Sequence, residues 1–207
     1  MKVILVNGSP HEKGCTYTAL CEVEKSLNAQ GVETEIFHIG KNPIGGCWGC
    51  GACAKIGKCV QNDVVNEFAE KAKTADGFVF GSPVYYASMA GNMKAFMDRL
   101  FYSNGKHLAY KPACGVASAR RAGTVATFDV MNRYFTINNM LIVSANYWNG
   151  VHGANNTGAD VLKDEEGLQT MRLLGNNMAW ILQCLALGKE KGIEPLKETK
   201  IRTNFIR

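Results

Sequence analysis

Lys2-Val3-Ile4-Leu5-Val6-Asn7-Gly8-Ser9-Pro10-His11-Glu12-Lys13-Gly14-Cys15-Thr16-Tyr17-Thr18 carries three local signals in immediate succession. The apolar run Val3, Ile4, Leu5, Val6 predicts a strand buried on both faces, as in a parallel sheet. Gly8-Ser9-Pro10 closes it as a turn. From residue 16 to 29, Ala19, Leu20, Val23 and Leu27 recur at helical spacing, and Gly31 supplies the stop. Strand, loop and helix in that order open a parallel sheet, because parallel neighbours need a crossover connection.

The alternation continues along the chain. Residues 32–39 read as a second strand, and Asp63 caps a helix with Val64, Val65, Phe68 and Ala72 on one face. Residues 77–82 read as a third strand ending at Pro83, and 91–101 as a helix carrying Met93, Phe96, Met97 and Leu100. A fourth strand over 112–118, a helix over 124–138, a fifth strand over 140–147 and a long helix over 165–187 complete the series. Five strands alternating with five helices predict a three-layer, doubly wound α/β domain, residues 1–188, around a five-stranded parallel sheet. Residues 189–207 are charged, lack helical periodicity and read as a C-terminal tail.

A chain of 207 residues with 46% hydrophobic residues suffices for one full core. No stretch approaches the roughly 18 apolar residues of a membrane span, and the start lacks a signal-peptide pattern. A cytoplasmic location with reduced thiols is therefore expected, so the cysteines predict metal ligation or packing rather than disulfides. The net charge of +5 is spread without basic runs interleaved with aromatics, which argues against nucleic acid. It suits an anionic cofactor or an acidic protein partner, and equally a solvated surface.

In open parallel sheets, ligands bind at the edge where residues 7–18 lie. Backbone N–H groups there, with the hydroxyls of Ser9, Thr16 and Thr18, suit a phosphate beside a helix N-terminus. The loop is neither a Walker A sequence nor a G-x-G-x-x-G fingerprint, which points to a single phosphate ester. A capped turn without a ligand is the alternative reading.

Gly8-Ser9-Pro10-x-x-x-Gly14-x-Thr16, Gly81-Ser82-Pro83-Val84-Tyr85-Tyr86 and Met93-Lys94-x-Phe96-Met97-Asp98-Arg99 together resemble the flavodoxin-like NAD(P)H-dependent FMN reductase superfamily, over residues 1–155. The resemblance implies a flavodoxin-like sheet of order 2-1-3-4-5. It implies an FMN phosphate held by Ser9, Thr16 and Thr18, with the neighbouring Cys15 and Tyr17 in the same loop. Cys15 departs from the asparagine many members carry, and its backbone N–H remains a donor.

For the flavin ring, the stretch Ser82-Pro83-Val84-Tyr85-Tyr86 predicts a turn fixed by Pro83, backbone N–H donors near Val84 and Tyr85 for the ring carbonyls, and a stacking face from Tyr85 or Tyr86. The family's Gly- and Arg-containing loop matches Ser118, Arg121 and Gly123 here, with an arginine suited to stabilise the anionic reduced ring. The alternatives are packing tyrosines and surface arginines. Asp98 and Arg99 read as a structural ion pair or an oligomer contact. His11, His38, His107 and His152 have no metal spacing, and no triad is visible, as expected when flavin N5 carries the chemistry.

Cys47, Cys50, Cys53 and Cys59 stand at C-x2-C-x2-C-x5-C in the Gly-rich stretch 43–62. Three readings compete. The spacing resembles that of the iron–sulfur flavoproteins of the same superfamily, which implies a [4Fe–4S] cluster passing single electrons from ferredoxin to FMN. Structural zinc on the four thiolates and an unfilled loop are the others. Cys15, Cys21, Cys114 and Cys184 read as small buried hydrophobes.

The expected function is that of an FMN-dependent oxidoreductase using NAD(P)H and a small-molecule acceptor. Electron transfer with ferredoxin is the alternative, and a zinc-stabilised binding module a third. The superfamily resemblance also implies a homodimer or homotetramer.

Overall fold

Residues Lys2–Asn7 form β1, and Val3, Ile4, Leu5 and Val6 are all buried. The unbroken apolar run follows from its position. β1 pairs in parallel with β2 (Glu33–His38) on one side and β3 (Gly77–Tyr85) on the other, with helices over both faces. Its side chains alternate between two cores. Ile4 and Val6 join Phe68, Phe78, Phe80 and Phe96 on one face, while Val3 and Leu5 join Leu20, Val23, Leu174 and Met178 on the other.

The computed structural model describes residues 1–154, 157–201 and 203. The remaining elements in chain order are α1 (Cys15–Ala29), α2 (Cys53–Ile56), α3 (Val64–Ala72), β4 (Ser88–Met89), α4 (Gly91–Asn104), β5 (Pro112–Ala119), α5 (Thr124–Ile137), β6 (Leu141–Ile142), β7 (Gly150–His152) and α6 (Glu165–Glu190). The main sheet runs β2-β1-β3-β5-β6, which is 2-1-3-4-5 when its five principal strands are counted in chain order. Residues of α1 and α6 fill the core on one face, and those of α3, α4 and α5 the core on the other. Among the described residues, no helix is long and apolar enough to cross a membrane.

Two strands depart from expectation. The third continues past Pro83 to Tyr85 and folds back antiparallel onto β4, with Val84 opposite Met89 and Tyr85 opposite Ser88. The two turn residues, Tyr86 and Ala87, both have positive φ (50° and 56°), the requirement of a tight type I′ hairpin, here met without glycine.

The expected fifth strand over 140–147 is broken. β6 pairs with β5 at Pro112 and Ala113, the chain then leaves the sheet, and β7 rejoins β5 at Ala117, Ser118 and Ala119. The intervening Ser144-Ala145-Asn146-Tyr147-Trp148-Asn149 is rich in residues that disfavour strands. Its polar groups turn to α6 instead: Asn177 Nδ2 donates to the Ser144 carbonyl at 2.8 Å.

The closing helix runs to Glu190, two residues into the stretch read as a tail. Residues 193–201 and 203 have neither helix nor strand, and the tail's Arg202 and residues 204–207 lie outside the described residues.

α1 and α6 cross at Gly175, where an added Cβ would meet the Val23 carbonyl oxygen at 2.7 Å and Ser26 Cβ at 2.7 Å. Backbone cannot yield as a side-chain tip can. Gly175→Ala is therefore expected to destabilise the fold by about 1–3 kcal/mol, read as a lower midpoint in urea unfolding with an unchanged slope. Wild-type stability would show that the helices can separate at no cost.

Candidate flavin cleft and cysteine pocket

The loop after β1 is fixed from both sides. Gly8 N donates to the Gly81 carbonyl at 2.8 Å, binding the loop to β3, and an added Cβ on Gly8 would meet that oxygen at 2.8 Å. Ser9 N donates to Asn7 Oδ1 (3.1 Å), Ser9 Oγ accepts from His11 N (3.1 Å), and the Ser9 carbonyl pairs with His38 Nε2 (2.8 Å). α1 then starts after Gly14 without a side-chain cap, and the positive end of a helix suits an anionic group.

This helix start opens on a cleft of about 580 Å³ at the C-terminal edge of β1, β3 and β5. Ser9, Cys15 and Thr16 line one end, Pro83, Val84 and Tyr85 one wall, and Ser118 the floor. Thr16 and Ser118 are buried and share a hydrogen bond at 2.8 Å between their hydroxyls. Seven of the thirteen residues singled out from the sequence thus border one space.

The other six stand behind or outside it. Thr18 Oγ1 turns back to the Gly14 carbonyl at 3.2 Å, and the Tyr17 hydroxyl pairs with the Cys21 thiol. Buried Ser82 locks the hairpin base, its Oγ donating to the Pro83 carbonyl (2.9 Å) and accepting from Ala90 N (3.0 Å). Gly123, at φ 96°, lets its loop close against the hairpin, since an added Cβ would lie 2.9 Å from Ala87 Cα. Tyr86 is fully exposed at the hairpin tip. Arg121 is exposed, its carbonyl 3.2 Å from His152 Nε2, while Arg120 lines the cleft together with His11, Gly14, Ala119, Gly153 and Ala154. Spacing from Ser118 did not separate the adjacent arginines, and no sequence signal marked Gly153, which the return of β7 brings in.

Of the other cysteines, Cys114 is buried, and burial pushes its thiol well above the ordinary range. Cys15 and Cys21 are half-buried, and Cys184 is exposed, contrary to expectation, because it lies on the outward side of α6.

Cys47, Cys50, Cys53 and Cys59 all line a second pocket, of about 330 Å³, against α4. Gly49, Gly51 and Gly57 have φ of 64°, 67° and 75°, the left-handed turns that curl the chain around it. Among the described residues, no three Cys, His, Asp or Glu side chains approach closely enough to ligate one ion. A single zinc needs its sulfurs around one point. A cubane cluster takes one thiolate at each of four corners and spreads them, and four thiols around one pocket fit that donor set.

A doubly wound sheet with an uncapped helix start and a hairpin wall at its switch edge defines a flavodoxin-like mononucleotide-binding protein. The chain belongs to the NADPH-dependent FMN reductase family, whose family model matches residues 1–155. It is 31% identical over 194 residues to an iron–sulfur flavoprotein of Methanocaldococcus jannaschii, covering 89% of this chain and 99% of that one. It is 28% identical over 199 residues to an iron–sulfur flavoprotein of Methanosarcina thermophila, covering 92% of this chain and all of the relative. A solved archaeal flavodoxin shares the fold at a TM-score of 0.60 and 16% identity, over 88% of this chain and 99% of that one. The protein is an FMN-dependent oxidoreductase.

Proposed function

We propose that the protein is an electron-transfer flavoprotein that holds FMN in the cleft and a [4Fe–4S] cluster on Cys47, Cys50, Cys53 and Cys59. The observation carrying this reading is that all four thiols line one pocket, and two full-length relatives bear the name iron–sulfur flavoprotein. When bound, FMN takes up hydride or single electrons, and the cluster carries single electrons. The chain's own residues do the holding. The amides at the start of α1 and the hydroxyls of Ser9, Thr16 and Ser118 bind the phosphate end, Pro83, Val84 and Tyr85 orient the ring, and Arg120 offers a charge beside it. Ser82 and Gly123 act one step back, by fixing the hairpin and its neighbour loop.

A reduced, acidic protein of the ferredoxin class is the electron donor in this reading, in keeping with the chain's net charge of +5. The exposed Trp48, Tyr86, Tyr147 and Trp148 support a homo-oligomer, and a thiolate-held cluster suits a reducing, cytoplasmic setting. A second reading, hydride transfer from NAD(P)H to a small-molecule acceptor such as a quinone, is favoured by an open groove lined by Lys13, Lys41 and His38 that meets the cleft at His11. That groove suits a second phosphorylated molecule.

Anaerobic purification with iron and sulfide assays separates the two. About four irons per chain beside bound FMN is the expected result. Iron-free protein that still oxidises NADPH rapidly would sink electron transfer through a cluster and leave the reductase.

A further inference from the structure

Arg99 is 1% exposed, although it carries a full positive charge in the middle of α4. A guanidinium has five N–H donors, and all five are used. Nε donates to Cys59 Sγ at 3.2 Å. One terminal nitrogen donates to Asp63 Oδ2 at 2.6 Å and the Gly45 carbonyl at 3.4 Å, and the other to Asp63 Oδ1 at 2.9 Å and the Gln61 carbonyl at 2.8 Å. Every acceptor belongs to the segment 45–63. Gly45 precedes the first cysteine, Cys59 is the last, and Asp63 caps the helix that follows, its carboxylate also accepting from Val65 N at 3.1 Å. Asn66 holds the same end through backbone alone, accepting from Cys59 N at 3.0 Å and donating to the Cys59 carbonyl at 2.8 Å.

We propose that Arg99 is a positioning residue for the cysteine pocket, clamping both ends of the loop to α4 and setting a charged N–H donor on the Cys59 sulfur. The redox half of this proposal rests on the cluster reading above, and the clamping half does not. A closed fork reaching entry, exit and sulfur together fixes where Cys59 and the two ends of the loop stand before anything binds, which lowers the cost of ordering on binding. The donor also biases the electron count. Reduction adds one electron and no proton to a thiolate-held cluster, and a hydrogen bond from a cation to a ligating sulfur favours the form with the extra negative charge. Lysine does not replace this. It is a point charge with three donors and no rigid fork, so it can keep Asp63 paired but not serve the two carbonyls and the sulfur as well.

The test compares Arg99→Lys and Asn66→Ala with wild type, because Arg99→Met also strips Asp63 of its partner and risks the fold. Amide hydrogen exchange over residues 45–61 is measured in metal-free, FMN-loaded protein, and the midpoint potential of the iron–sulfur signal by dithionite titration of the reconstituted protein. Arg99→Lys is expected to speed exchange about tenfold and to lower the potential. Asn66→Ala, which touches no sulfur, is expected to speed exchange and leave the potential in place. Wild-type exchange and wild-type potential in Arg99→Lys would overturn the proposal, and so would an equal fall in potential in Asn66→Ala, since loosening alone would then account for it. A wild-type protein that takes up no iron would sink the cluster reading, and the exchange comparison in the metal-free proteins still decides the clamp.

Discussion

Cys15→Asp is expected to abolish FMN binding while leaving the protein folded. The side chain changes little in size, and an acidic residue in the first turn of a helix is favourable to the macrodipole, so α1 has no reason to fray. The same carboxylate would stand at the end of the cleft proposed for the phosphate, beside the walls formed by Ser9 and Thr16. At about 5 Å and an effective dielectric constant of about 20, each pair of like unit charges costs about 3 kcal/mol, or roughly a hundredfold in affinity. Cys15→Ser, neutral and equally small, should bind FMN close to wild type. Fluorescence quenching of FMN measures affinity, and circular dichroism confirms the fold. Retained affinity in Cys15→Asp would move the phosphate away from α1 and remove the cleft assignment.

The second large effect concerns iron. Cys53→Ala is expected to take the anaerobically purified protein from about four irons per chain to none, with FMN content unchanged. Cys53 opens α2 and lines the cysteine pocket, and the flavin cleft shares no lining residue with that pocket among the described residues. Removing one thiolate thus takes away a corner of the donor set without touching the groups around the flavin. Iron retained at the wild-type level would show that Cys53 is not a ligand. Loss of iron and FMN together would show that the two sites are not independent.

The sheet was legible because its strands are buried on both faces, so that Val3 to Val6 or residues 77–82 read as apolar runs whatever they pack against. The end of the cleft at the start of α1 was legible for a similar reason. A turn and a helix start are local, and Ser9, Cys15 and Thr16 are neighbours in sequence. The hairpin was hidden because its turn uses Tyr86 and Ala87 at positive φ in place of the Asn-Gly signal that normally announces it. The break in the fifth strand was hidden because the competing partner, Asn177, lies 33 residues away on α6. Asp98 and Arg99 read as a structural ion pair or an oligomer contact; each does sit in an ion pair, but not with the other. Asp98 pairs instead with Lys94 and Tyr134, while Arg99 reaches Asp63 across 36 residues. Contacts of that range leave no trace in periodicity.

The broken fifth strand also bears on how the chain behaves among copies of itself. A sheet is most vulnerable to aggregation at its edges, where unpaired backbone groups invite a further strand. Here one edge is split between the two residues of β6 and the three of β7, with the chain leaving the sheet between them, so neither piece is long enough to template a pairing. The other edge, β2, carries Glu33 and Glu35, the latter bridged to both Lys2 and Lys71. One border is interrupted and the other charged, so neither invites runaway strand addition from another copy.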